Sequence, residues 1–275
     1  MARKPSVEFV LRPFEGLPGE PDWVALREVV PAATATARTT AEHGARDVVV
    51  TTMLPMAWPA LHRADGVVMV ALQTRSGSGD ASRDIAAALL EALDLEPGMP
   101  VTTAGLPEPG PRLQDVLDLS VPFEVTVHDG FDFWLAPDTE MTPEVAASLE
   151  EANGTVLPTV KLSSVESAYW CRMGDKEFLR WAMPHDEQVM IDALARLHAE
   201  RRSAVGDARF IGYFRSSGVV VPVWEPPAGT EADALEAPAA EFLERFDQAL
   251  ADTSPLDATA RRARAGLVSR QVTLR

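Results

Sequence analysis

The chain has 275 residues, 46% of them apolar, enough for one large or two ordinary domains, each burying its own core without small-scaffold staples. A net charge of −16 disfavours broad coating of nucleic acid, whose phosphates it repels over about 10 Å at moderate salt. The single cysteine, Cys171, closes no internal disulfide, no cysteine or histidine cluster has zinc spacing, and no window approaches the ~20 continuous apolar residues of a membrane-spanning helix. The expectation is a soluble protein of the reducing cytosol, with no metal site and no cofactor.

In chain order, the short apolar run at residues 7–11 is interrupted by Glu8 and ends at Arg12-Pro13, too short for an export signal. A helix is predicted over residues 23–30, capped by Asp22 and stopped by Pro31. Asp65-Gly66 is a turn before a strand at 67–74. Gly77-Ser78-Gly79 then precedes a helix from near Asp80, with Ile85, Leu89 and Leu93 on one face. A glycine loop before a helix has the geometry that cradles phosphate. Here no Walker lysine follows, and Asp80 would repel the anion, so a flexible connection and helix cap is the simpler expectation.

Five prolines and three glycines between Leu95 and Arg112 mark a connector. It divides the chain into a first lobe at residues 1–96, a linker at 97–112 and a second lobe at 113–275. In the second lobe, Asp129-Gly130 predicts a hairpin joining residues 123–128 to 131–135, with His128 beside the turn. Thr142 caps a helix over 143–152, ended by Asn153-Gly154. Gly174-Asp175 joins strands at 168–173 and 176–181, and Ser216-Ser217-Gly218 joins 210–215 to 219–224. A helix spans about 185–200, a Pro-, Ala- and Glu-rich loop 222–239, and a last helix carries Phe242, Phe246 and Leu250. The final residues, 259–275, hold five arginines and no acid, a tail for an acidic partner or for the protein's own body. The fold class is therefore α+β, antiparallel hairpins against helices. A helix, three strands and a long helix recur across 23–93 and 144–197, as an internal duplication would produce.

The chemistry-bearing residues concentrate between Ser163 and Glu200. In the register set by a two-residue loop at Gly174-Asp175, Cys171 pairs with Phe178 and shares a face with Tyr169 and Met173. That makes it a buried thiol rather than a nucleophile served by His185. His185-Asp186-Glu187 reads as a helix start, with a proton-transfer or ligand role for His185 as the alternative. Its partner imidazole, His198, lies 13 residues on, about 20 Å along a helix, too far to share an ion. The opposite face presents Trp170 and Trp181, with Arg172 and Arg180 on the same hairpin. With His185, these five form the candidate binding surface, since tryptophan and arginine dominate interface hot spots.

Residues Tyr169-Trp170-Cys171-Arg172-Met173-Gly174-Asp175-Lys176-Glu177-Phe178-Leu179-Arg180-Trp181, Pro184-His185-Asp186-Glu187 and Arg12-Pro13-Phe14-Glu15-Gly16-Leu17-Pro18-Gly19-Glu20 resemble a family of uncharacterised actinobacterial proteins, over most of the chain. That resemblance implies a bacterial cytosolic protein and no particular activity. The functional expectation is a non-catalytic binding or regulatory protein whose partner is another protein. The alternative is a small-molecule hydrolase or transferase using His185 with Asp186 and Glu187 in a cleft between lobes.

Overall fold

A computed structural model describes residues 8–74, 77–102 and 110–269. It is an α+β structure whose described residues form seven α-helices and two mostly antiparallel sheets, in two units, residues 1–156 and 157–275.

The first unit begins with α1 (Glu20–Glu28), three residues earlier than Asp22 suggests, because Gly19 takes φ 64° and Pro21 sits in the first turn. Its Trp23 is buried and stacks on Phe123 at 4.2 Å and on Phe14 at 5.8 Å. Strands β1 (Ala33–Arg38), β2 (Asp47–Thr51), β3 (Ala60–His62) and β4 (Val68–Ala71) follow, then α2 (Ala81–Asp94), β5 (Met99–Val101), α3 (Leu113–Val116), β6 (Val125–Val127) and α4 (Pro143–Asn153). The sheet order is β5-β3-β4-β2-β1-β6, with β2 and β4 parallel and every other pair antiparallel.

In the parallel pair Val48 and Val50 lie opposite Val68 and Val70 on one face of the sheet, and Val49 lies opposite Met69 on the other. Helix α2 packs on β3, β4 and β5, with Ile85 and Leu89 buried. The opposite face is covered mainly by turns, with α4 packing on them from beyond. Met69, Leu61 and Leu54 are covered there by Trp58, Phe133 and Trp134, which come from short 3-10 turns and their flanks.

The expected hairpin at Asp129-Gly130 does not form. Residues 125–127 pair with β1, while Asp132–Trp134 is a 3-10 turn. The cause is remote in sequence: the Asn153 side-chain oxygen accepts the Phe131 N–H at 2.7 Å, removing a donor that a hairpin ladder needs. The same amide lies 2.7 Å from where a Cβ on Gly130 would stand, so a larger residue there would displace the Asn153 side chain.

The chain divides at 156/157, not across 97–112. Met99–Val101 is the edge strand beside β3, α3 packs on α2, and Arg112 donates to the buried Asp80 carboxylate at 2.8 Å. Those contacts tie both ends of the expected linker to the first unit; its residues 103–109 lie outside the described residues. Asp80 also caps α2 through the Ser82 N–H, which settles the loop at Gly77 as a helix start.

The second unit holds β7 (Thr159–Lys161), β8 (Ala168–Met173), β9 (Lys176–Trp181), α5 (Glu187–Ala199), β10 (Arg209–Ser216), β11 (Val219–Glu225), α6 (Asp233–Ala251) and α7 (Ala258–Ser269). Its antiparallel sheet runs β10-β11-β9-β8-β7. The Gly174-Asp175 hairpin has the expected register throughout, from Met173 opposite Lys176 to Tyr169 opposite Arg180. At the other hairpin Ser217 and Gly218 both take positive φ, as a two-residue loop requires. Helix α6 begins at Asp233, well inside the expected loop, and accommodates Pro238 in its second turn. The arginine-rich terminus is helix α7, packed on α5 with Arg264 paired to Asp192 at 2.5 Å. Arg270 and Arg275 lie outside the described residues. The proposed duplication finds no counterpart in topology: the two sheets differ in strand order, and α4 belongs to the first unit rather than to the sheet that follows it.

Candidate functional site

The tryptophan face of the β8–β9 hairpin is core. Trp170 and Trp181 are 2% and 3% exposed, and they join Met190, Leu194, Phe242 and Phe246 of α5 and α6. Trp181 lies 6.0 Å from Phe242 and 6.2 Å from Trp224, and the Trp170 indole donates to the Thr230 carbonyl at 2.9 Å. A surface hot spot there is corrected to a buried cluster, because two helices lie on the face that a lone hairpin would expose. Arg172 remains half-exposed, bridging Glu177 and Glu231 and lying 5.1 Å over the Trp170 ring. Arg180 is buried on the opposite face, beside Cys171.

Cys171 is itself 2% exposed. Burial pushes its thiol pKa up, against the opposing charge of Arg180, so the sulfur is a poor nucleophile. His185 is half-buried against the Phe246 ring at 5.9 Å. Its acidic neighbours are engaged elsewhere. Asp186 caps α5 by accepting the Gln188 and Val189 N–H groups, and Glu187 accepts two bonds at 2.6 Å from Arg215, which hold its pKa below the usual carboxylate value.

A different surface combines half-exposed rings with uncompensated charge. In the first unit Trp134 stacks on Phe131 at 4.3 Å, and Phe133 stands edge-on to both and 4.8 Å from His128. Trp134 is held by its indole N–H to the Met53 carbonyl at 2.8 Å. Phe133, Trp134, Leu135 and Trp58 all stay half-buried, although they cap the sheet face opposite α2. Beside them Met56 is 77% exposed on a turn where Met56 and Ala57 both take left-handed φ, 54° and 56°. Such backbone is strained for non-glycine residues and lifts the methionine into solvent.

The surrounding charge has one sign. Between Arg112 and Lys161 there are ten carboxylates, Asp115, Asp118, Glu124, Asp129, Asp132, Asp138, Glu140, Glu144, Glu150 and Glu151, and neither lysine nor arginine. Leu149 packs α4 against Phe131, which leaves Glu150 and Glu151 on its solvent side, while Asp129 and Asp132 flank the rings directly. His128 donates to or accepts from Thr34 at 2.8 Å, and burial lowers its pKa, opposed by Asp129 and Asp132. Arg63 nearby donates to the Phe133 and Leu135 carbonyls and pairs with Asp65. The signal that would have found this face is the charge of one window, which the whole-chain total of −16 conceals.

Among the described residues no group of three or more His, Cys, Asp or Glu side chains is arranged to hold a metal ion, and no helix is long and apolar enough to cross a membrane. No curated protein and no solved structure matches the chain. One family model does, over residues 13–275, which includes the Arg12–Glu20 stretch from Pro13 onward, the β8–β9 hairpin and the acidic window alike. By that match the chain belongs to DUF5926, a family of unknown function.

Proposed function

We propose that the protein is a non-catalytic binding module that docks a basic segment of a partner protein on the acidic, aromatic face of its first unit. The observation that supports this reading most is the coincidence of half-exposed Phe133 and Trp134 with adjacent Asp129 and Asp132, in a stretch free of lysine and arginine that also carries exposed Glu150 and Glu151. A cationic side chain gains from a ring face and from a carboxylate at once, by about 0.5–1 kcal/mol per exposed cation–π contact and more when water is excluded. Packed aromatic anchors in a polar rim are also the usual anatomy of a protein interface. The enzymatic alternative at His185 has less support, since both neighbouring acids already serve helix capping and an ion pair. An actinobacterial cytoplasm suits a chain whose one cysteine is a buried free thiol.

The test is titration of the full chain with an arginine-rich peptide and, separately, with its serine-substituted control. The reading expects saturable binding of the basic peptide, weakening as salt rises, and about tenfold loss in the variant Asp129→Asn, Asp132→Asn, Glu150→Gln, Glu151→Gln. Equal affinity for the control peptide, or an unchanged affinity in that variant, contradicts it.

A further inference from the structure

We propose that the second unit holds a separate binding site for a phosphate-bearing small molecule, in the cavity where the end of α5, the start of β10 and one side of α7 converge on Arg201, Arg209, Arg262 and His198. The cavity is a groove open to solvent on one side, with a volume of about 870 Å³, room for a small molecule. Arg201, Arg209, Arg262 and His198 line it, the three arginines exposed; Asp207 is the lining carboxylate, and Arg209 is also paired with Glu225 at 2.6 Å, which leaves Arg201 and Arg262 as the uncompensated cations. Phe210 supplies an apolar wall.

Two details separate this cluster from ordinary surface charge. Most arginines in the described residues are paired with an acid, as a chain with 41 acidic residues readily allows. Arg201 has no acidic partner among the described residues, and Arg262 donates only to the Ala258 carbonyl of its own helix. Arg201 also occupies a left-handed position, φ 59°, where the chain leaves α5 and where glycine costs least. An arginine at that strained position supplies a cation to the cavity that glycine would not.

The imidazole is oriented rather than free to turn. His198 Nδ1 lies 3.0 Å from the buried Ser203 hydroxyl, and its ring stands edge-on to Phe210 at 6.5 Å, which leaves Nε2 for a ligand. Cations near the end of α5 complement its macrodipole, and that alone would explain Arg201. It does not explain Arg262 of α7, which lines the same space without an acidic partner. A planar fork of donors matches a phosphoryl group's oxygens, and several forks around one volume suit a dianion better than a single carboxylate.

The experiment uses the full chain and inorganic phosphate, with citrate as the carboxylate comparison, followed by calorimetry and by the His198 ring resonances. Saturable phosphate binding that shifts those resonances is expected, with about tenfold weakening in Arg262→Gln and in Arg201→Gly. Arg201→Gly relieves the left-handed backbone, so its melting temperature should hold or rise while binding falls, an outcome that a purely structural arginine would not give. Absence of a saturable phosphate response overturns the proposal, as does unaltered binding in the double variant Arg201→Gly, Arg262→Gln. Citrate binding as tight as phosphate overturns the phosphoryl assignment.

Discussion

Trp181 and Trp134 show how two aromatic clusters of similar composition end in different environments. Trp181 sits beneath α5 and α6, among residues that no water reaches. Trp134 sits on a sheet face closed by turns and by the Leu149 side of α4, stacked on one ring and half open to solvent. Helices bury an aromatic face by laying a broad apolar stripe across it, whereas a 3-10 turn offers only a few side chains. Aromatic content therefore marks core where two long helices cover it and a candidate contact surface where turns and one side of a shorter helix do.

Replacing each tryptophan by alanine should expose that difference most strongly. Trp181→Ala removes a fully buried ring and should cost about 3–5 kcal/mol in denaturant unfolding, enough to threaten the fold. Trp134→Ala should cost less, about 1–3 kcal/mol, because its ring is half exposed while its hydrogen bond to Met53 is lost. Equal losses would mean that the two clusters are both core and that no aromatic face is on offer. Asp186→Ala, which removes the α5 cap and no ring contact, should cost about 1 kcal/mol and leave binding of the basic peptide unchanged.

Acidity gives a smaller and more specific effect. His128 has a folded pKa below its ordinary 6.5, so the unfolded chain takes up a proton more readily than the folded one. Its contribution to stability is present above about pH 6.5 and is lost as pH falls through the depressed value. His128→Gln should flatten the pH dependence of unfolding in that window, and an unaltered slope would show that His128 does not titrate against the fold.

The two hairpin dipeptides show where local sequence suffices. Gly174-Asp175 sets its register because the flanking strands alternate and nothing distant competes for their backbone groups. Asp129-Gly130 carries equivalent turn chemistry, yet Asn153 takes the Phe131 N–H from 22 residues away, a contact no local window contains. Helix α6 was similarly masked by Pro238, which reads as a breaker but is tolerated in the second turn. Burial of Trp170 and Trp181 depends on Phe242 and Phe246, about sixty to seventy-five residues further on, so their hairpin alone gives no hint of it. The acidic window was legible throughout; what sequence did not supply was that half-exposed aromatic rings sit beside its Asp129 and Asp132.

The most direct measurement follows the indole N–H signals of the six tryptophans while the full chain is titrated with the arginine-rich peptide. Docking on the first unit's face predicts that Trp134 and Trp58 shift progressively and saturate, with Trp170, Trp181 and Trp224 unmoved. Shifts confined to the second unit's tryptophans, or none at saturating peptide, would contradict it.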